Sequence, residues 1–471
     1  MLNEESCYQA LMTRDRRFDG LFYIGCKSTG VYCRPVCTVR TPMKKNCSFY
    51  RTAAAAECAG FRPCLRCRPE HAPGNALIDS VSTLAAEVLQ RIESGEFKGI
   101  EETASDLGIS DRHLRRVVQA EFGVSPIELL QTHRLLLAKL LLCDSALPIT
   151  EIAFASGFSS VRQFNSAFKD RYNLNPSNLR KSASTKPADR PIKCELAYRK
   201  PLPWSQLMSY LALRATPKVE HVTEDSYART LNIGKQSGWV RAYKSRDKET
   251  ITIELSSSLA AVLPMVLQRI KDLLDLNADT ERIEDRLGEI TTTAGLRVPG
   301  ACDPFELCLR AVLGQQISVK AASTLMGRIA EHYGKPVECS IPELSVLTPS
   351  STCLSAAKQD DLCRLGLTGA RAQTVINLAR AEKTGSISFE DRITPQAQIK
   401  RLKNIEGIGE WTAQYVAMRA LKWPDAFPHT DLGIKKALGE DNPKKILQLS
   451  EKWSPWRAYA TMHLWSSLHA N

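Results

Sequence analysis

Residues 402–431 read LKNIEGIGEWTAQYVAMRALKWPDAFPHTD, and the rest of the chain can be worked outward from this stretch. Ile399, Leu402 and Ile405 recur at near-helical spacing before Glu406-Gly407-Ile408-Gly409. Trp411, Tyr415, Met418 and Leu421 recur at that spacing after it. Two glycines two apart predict a tight hairpin, because they reach backbone conformations that strain any other residue. The pattern is helix, hairpin, helix. Its amides and the N-terminus of the second helix would offer donors and a positive dipole end to a nucleic-acid phosphate. Beyond the second helix, Asp431 follows the Pro-containing turn Pro424–Thr430.

Composition sets the frame. A chain of 471 residues exceeds one core and predicts about three or four domains. A net charge of +12 favours a polyanionic partner. The first twenty residues are charged throughout, with no signal peptide, and Leu135–Leu142 is too short and too interrupted by Lys139 to span a bilayer. The expectation is a cytoplasmic protein without a membrane partner. In that compartment the 15 cysteines are not disulfides; some are core and a closely spaced subset points to metal.

Such a subset lies near the N-terminus. Cys33-x3-Cys37 is followed, after a 26-residue gap, by Cys64-x2-Cys67, and both pairs adjoin proline turns. Four thiolates in two close pairs suit tetrahedral Zn2+. Zinc keeps a thiolate deprotonated at neutral pH yet nucleophilic. Four thiolates on Zn2+ total a formal charge of −2. Residues 1–70 hold twelve Lys/Arg against six Asp/Glu, so the cluster is a negative island in a basic module.

The stretches LRVPGACDPFELCLRAVLGQQISV, GIGEWTAQYVAMRAL, WPDAFPHTDLGIKKAL and WSPWRAYATMHLW follow in this order within residues 194–471. They resemble the helix-hairpin-helix DNA glycosylases, most closely their 3-methyladenine glycosylase II (AlkA) branch. The resemblance implies excision of alkylated bases such as 3-methyladenine and 7-methylguanine. It places the catalytic carboxylate at Asp431, where a fixed negative charge stabilises the cationic sugar or activates water. A surface Asp capping the next helix is the bland alternative. It also implies a base pocket of Trp411, Tyr415 and Trp465, a wedge at Gln316, DNA contact at Gly407 and Gly409, and a monovalent cation (Na+ or K+) on the carbonyls of Lys403, Ile405 and Ile408. Cationic bases would be drawn to the aromatic faces. His429-Thr430 and Gly433 depart from the pattern of that branch. Thr412 stands where lyase-competent relatives carry lysine, so no Schiff base is expected.

TGVYCRPVC and GFRPCLRC resemble the zinc domain of the Ada methyl-response proteins, which makes Cys33 the methyl acceptor and Cys33, Cys37, Cys64 and Cys67 the zinc ligands. A purely structural zinc is the alternative. TASDLGISDRHLRRVVQAEFGVSP and ITEIAFASGFSSVRQFNSAFKDRYNLNP form two similar helix-turn-helix units, with turn glycines Gly108 and Gly157 and the helix Pro126–Cys143 between them. They resemble the AraC-type DNA-binding domain. Arg112 and Arg115 in the first unit, and Arg162 and Gln163 in the second, are its candidate DNA contacts.

The expected fold is multidomain and mainly α: a small four-cysteine zinc α+β domain (1–75), an AraC-type double helix-turn-helix (79–181), a linker (182–193), an AlkA-type N-terminal α+β domain (194–285) in which no chemistry is visible, and an all-α helix-hairpin-helix glycosylase domain (286–471). The expected partners are double-stranded DNA and RNA polymerase, and the expected state a monomer. A transcription factor whose glycosylase-like half only binds DNA is the competing reading.

Overall fold

A computed structural model of the chain describes residues 3–73, 83–145, 147–182, 191–245, 249–389 and 394–468. It divides into two compact units, Met1–Tyr198 with Ser245–Gln268, and Arg199–Lys244 with Arg269–Asn471. Among the described residues no helix is long and apolar enough to cross a membrane.

The first unit opens with helix Glu4–Thr13, whose N-cap Asn3 accepts the Ser6 amide at 2.7 Å. A four-stranded sheet follows, in the spatial order Cys47–Tyr50, Tyr23–Cys26, Val31–Cys33, Arg62–Pro63. The last pair is parallel, with Tyr32 opposite Pro63. Parallel pairing brings like ends of two strands together. Cys33 and Cys64, each the residue after that pair, therefore come side by side, and the Cys64 amide donates to the Tyr32 carbonyl at 3.0 Å.

The helices Asp111–Phe122 and Val161–Tyr172 each start on a serine cap: Ser110 accepts the His113 amide and Ser160 the Gln163 amide. Their inner faces bury Leu114, Phe164 and Phe168 completely, with Val117 half-buried beside them. The long helix Pro126–Asp144, which lies between these two helices in sequence, begins with a capping box of Ser125 and Glu128. Two buried polar joints fasten it to the residues around the sheet. In one, Glu57 accepts from Tyr32 Oη at 3.0 Å, Tyr172 Oη at 3.1 Å and Thr132 Oγ1 at 3.0 Å. In the other, the Lys139 ammonium, 1% exposed, meets both Glu70 oxygens at 2.6 and 2.7 Å. Arg68 joins Glu70 to Asp144, with a bidentate contact to the latter at 2.9 and 2.6 Å. Charges this deep are tolerated only when paired. A ribbon of Ile192–Ala197 antiparallel to Thr250–Leu255 completes the unit. Its first strand starts inside the stretch 182–193 expected to be linker; residues 183–190 of that stretch lie outside the described residues.

In the second unit an antiparallel meander, Glu220–Val222, Ser226–Ile233 and Gln236–Lys244, accompanies helix Trp204–Ala212. The remainder is helical. Helix Pro304–Leu313 is buried almost all round and packs against Val319–Tyr333, Gly369–Lys383 and Glu410–Arg419. Each large aliphatic side chain buried there stabilises by about 1.5–3 kcal/mol. The expected hairpin joins Pro395–Lys403 to Glu410–Arg419, its turn closed by the Ile408 amide on the Ile405 carbonyl at 3.0 Å. The two glycines differ from expectation. Gly407 has φ +88°, and a Cβ there would stand 1.9 Å from Thr374 Oγ1, so both backbone and packing demand glycine. Gly409 has an ordinary φ of −92° and open space around it. Leu421 lies beyond the end of that helix.

Candidate active site and metal centre

Asp431 sits at the N-cap of helix Leu432–Leu438, where Oδ1 accepts the Ile434 amide at 3.0 Å. The bland reading of this residue, a helix cap, thus describes part of its role. Two further donors converge on the carboxylate: Trp411 Nε1 on Oδ2 at 2.7 Å and Trp465 Nε1 on Oδ1 at 2.9 Å. A cap needs neither indole. The carboxylate borders a cavity of about 640 Å3, within the range of about 300–1,000 Å3 usual for small-molecule sites, and no other acidic side chain lines it among the described residues. Gly433 makes the close approach possible, since a Cβ there would come within 3.0 Å of both Asp431 Oδ1 and the Trp465 ring.

Trp411, Tyr415 and Trp465 all line this cavity. Trp411 stacks on Tyr415 at 5.3 Å and 14°, and Tyr415 lies 6.4 Å from Trp465. The sequence reading missed another part of the wall. Tyr210 and Arg214, from the Trp204–Ala212 helix and its C-terminal turn, line the same cavity, although residues 194–285 showed no chemistry in sequence. The Arg214 guanidinium sits 3.7 Å from the Tyr210 ring centroid, and that of Arg419 5.3 Å from Tyr210 and 5.5 Å from Tyr415. Of the three rings expected to await a cationic base, Tyr415 thus already carries a guanidinium of the protein's own. Arg419 is buried, donating to Tyr415 Oη at 2.6 Å and to the Pro299 and Gly300 carbonyls at 2.6 and 3.1 Å. Burial alone would push the Tyr415 hydroxyl up; Arg419 and Arg214 more than offset it and bring it down to about 8. No local signal marks Tyr210 or Arg214, because only the packing of the first helix of this unit against the others brings them to the site.

Gln316 is exposed, outside the cavity lining, in the loop between Pro304–Leu313 and Val319–Tyr333. Thr412 is 3% exposed and accepts the Gln315 side-chain amide at 3.0 Å; it supplies no amine. Lys403 pairs with Glu410 across the hairpin at 2.5 Å. In the first unit, Arg112, Arg115, Arg162 and Gln163 are exposed on the helices Asp111–Phe122 and Val161–Tyr172.

The sulfurs of Cys33, Cys37, Cys64 and Cys67 lie within 4.8 Å of one another. Zn–S bonds of about 2.3 Å in a tetrahedron need sulfurs about 3.8 Å apart, so four thiolates fit the ion with small adjustments. The Arg34 amide donates to Cys67 Sγ at 3.4 Å, and the Arg34 side chain is held by Asp19. These contacts orient the Cys33–Cys37 turn against the second pair.

Comparison with known proteins agrees with this layout. Family models match residues 6–70 ("Metal binding domain of Ada"), 103–182 ("Helix-turn-helix domain"), 193–303 ("AlkA N-terminal domain") and 309–453 ("HhH-GPD superfamily base excision DNA repair protein"). The "Probable bifunctional transcriptional activator/DNA repair enzyme AlkA" of Mycobacterium tuberculosis is 36% identical over 98% of this chain and 96% of its own. The "DNA-3-methyladenine glycosylase 2" of Escherichia coli is 35% identical over 57% of this chain and 95% of its own. The "Bifunctional transcriptional activator/DNA repair enzyme Ada" of Escherichia coli is 34% identical over 26% of this chain and 34% of its own. With a relative matched across nearly its whole length and a zinc domain of the Ada type at its front, the chain belongs to the family of the bifunctional transcriptional activator/DNA repair enzyme AlkA.

Proposed function

We propose that the chain is an alkylation-response protein that joins a methyl-sensing transcriptional regulator to a monofunctional DNA glycosylase. The observation that carries the glycosylase reading is Asp431, the one carboxylate on the described cavity wall, aimed by two indole N–H groups and a helix N-terminus. A base turned out of the duplex enters the cavity between the aromatic rings. As the N-glycosidic bond breaks, positive charge grows on the sugar and the fixed Asp431 carboxylate opposes it. The bond electrons leave with the base, and water adds at C1′, giving up its proton to the Asp431 carboxylate or to solvent. N-alkylated purines such as 3-methyladenine and 7-methylguanine leave readily because they are already cationic. With Thr412 in place of an amine, no covalent sugar adduct forms and an abasic site is the product.

In the same reading residues 286–471 carry excision, 194–285 contribute Tyr210 and Arg214 to the cavity lining, 79–181 read promoter DNA through Arg112, Arg115, Arg162 and Gln163, and 1–75 sense damage. Bound zinc would keep the four thiolates ionised. Cys33 Sγ attacks the methyl carbon of a DNA methylphosphotriester; the S–C bond forms, the C–O bond breaks, and the phosphodiester leaves with the electron pair. Gly407 and Gly409 seat a phosphate at the hairpin, with a Na+ or K+ on the carbonyls of Lys403, Ile405 and Ile408. Gln316 fills the gap left by the departed base. RNA polymerase as the regulator's partner, a monomeric state and a cytoplasmic location belong to this reading. The test is excision of 7-methylguanine from duplex DNA by the full chain. Release of free base by wild type and its loss in Asp431→Asn support the reading; a wild-type chain that binds the duplex and releases no base leaves only a DNA-binding module.

A further inference from the structure

Gln316 has φ +55°, a left-handed backbone that is uncommon for a residue with a Cβ, and its neighbours hold the loop in place. The constraint is visible one residue earlier. The Gln315 carbonyl accepts Arg371 Nη2 at 2.6 Å. The Gln315 side-chain amide donates to the Gly407 carbonyl at 3.0 Å and to Thr412 Oγ1 at 3.0 Å. Gly407 is the turn residue of the hairpin with positive φ, and it lies close against Thr374 with no room for a Cβ. Arg371 and Thr374 belong to the same helix, Gly369–Lys383. One helix therefore braces both the Gln316 loop and the hairpin, and a single side-chain amide cross-links the two.

We propose that Gln315 is a positioning residue that couples the hairpin's hold on the DNA backbone to insertion of Gln316 into the base stack. The proposal rests on the reading of the hairpin as the phosphate grip and of Gln316 as the wedge. The Gln315 amide spans both, so a duplex seated on the hairpin finds Gln316 already at a set height and angle. Without the cross-link the loop is free to relax towards an ordinary backbone, and the wedge arrives misplaced while the grip persists. Misplacement of a group by about 1 Å can cost up to about 100-fold in rate.

The test uses the full chain with Gln315→Met, which keeps length and loses both donors, and Gln315→Glu, which turns an acceptor towards the Gly407 carbonyl. Two duplex probes are compared. One carries 2-aminopurine beside a tetrahydrofuran abasic analogue, so that its emission reports unstacking by the wedge without any excision. The other carries 7-methylguanine, either paired or in a single-base bulge. The expected results are an unchanged unfolding temperature, affinity for the analogue duplex within about twofold of wild type, and a loss of about tenfold both in the rate of the emission change and in excision from the paired site. Excision from the bulge, where the base is already unstacked, stays within about twofold. Equal losses on paired and bulged substrates, or a wild-type emission change in both variants, overturn the proposal. If wild type excises nothing yet its emission change is lost in the variants, the coupling stands and the glycosylase reading falls. If wild type excises and the variants match it on both substrates, the coupling falls alone.

Discussion

Glu57 and Asp431 are both carboxylates that collect hydrogen bonds from aromatic side chains, yet they sit in opposite environments. Glu57 is 2% exposed and receives three hydroxyls, from Tyr32, Tyr172 and Thr132. Hydroxyls can donate or accept, so this joint can be satisfied with the acid in either protonation state. Burial pushes Glu57 up to about 7, against the downward pull of Arg171 and the three hydroxyls. Asp431 receives only N–H donors, from two indoles and a backbone amide, and it faces an open cavity. N–H groups cannot reverse roles. The first arrangement joins elements and tolerates change of charge; the second fixes an acceptor at the edge of an open cavity. Burial separates a structural carboxylate from a chemical one here more sharply than the number of partners does.

Four predictions test that division. The largest effect is all-or-none and concerns the first unit's own chemistry. After exposure to methylated DNA, mass spectrometry should find one added methyl group on Cys33, and Cys33→Ser should accept none, while excision by the second unit continues. A label on Cys37, Cys64 or Cys67 would move the acceptor, and no label would leave the zinc structural. Next, Asp431→Asn should slow excision by roughly 10²–10³-fold, the usual cost of removing one electrostatic stabiliser. Thermal stability should fall by about 1–3 kcal/mol: Asn caps a helix about as well as Asp, but its amide nitrogen must face an N–H donor where a carboxylate oxygen now accepts. Near-wild-type turnover would erase the contrast with Glu57.

Glu57 should act on stability alone. Its pKa in the fold, about 7, lies above the ordinary 4.5. The folded state therefore holds the proton more tightly than the unfolded chain does. Stability of the first unit should fall as pH rises from about 4.5 to about 7 and level off above, by about 3 kcal/mol in all. Glu57→Gln should remove that slope and leave excision intact. The seven tryptophans all lie in the second unit, so tryptophan fluorescence follows that unit alone while circular dichroism follows both. Denaturant melts at pH 5 and pH 8 that show the same slope in wild type and variant would refute the assignment. The smallest effect separates the hairpin glycines. Gly407→Ala, with φ +88° and a Cβ driven onto Thr374, should destabilise the second unit by about 1–3 kcal/mol. Gly409→Ala should leave stability within about 0.5 kcal/mol and weaken DNA binding instead, since the open space it fills is where a phosphate would sit. Equal destabilisation by both would mean that the two glycines serve the fold alike.

What the sequence determined by itself was local. Turn chemistry and periodicity act over a few residues, so the helix-hairpin-helix, the serine-capped helices with Gly108 and Gly157 before them, and the close pairs Cys33-x3-Cys37 and Cys64-x2-Cys67 were all legible in order along the chain. Asp431 was legible too, as an acidic residue at a turn between two helices. Long-range meetings were left to the tertiary structure. Parallel pairing of two short strands decides that Cys33 stands beside Cys64. The packing of helix Trp204–Ala212 brings Tyr210 and Arg214 to a cavity whose carboxylate lies over two hundred residues away. Glu57 draws Tyr32, Thr132 and Tyr172 into one joint, and Gln315 finds Gly407 across 92 positions. The physical reason is one of range. A dihedral preference or a helical stripe is written in neighbouring residues, whereas which face meets which is settled only when all the apolar stripes are buried together. Side chains that enter a site from another element carry no mark of it in their own neighbourhood.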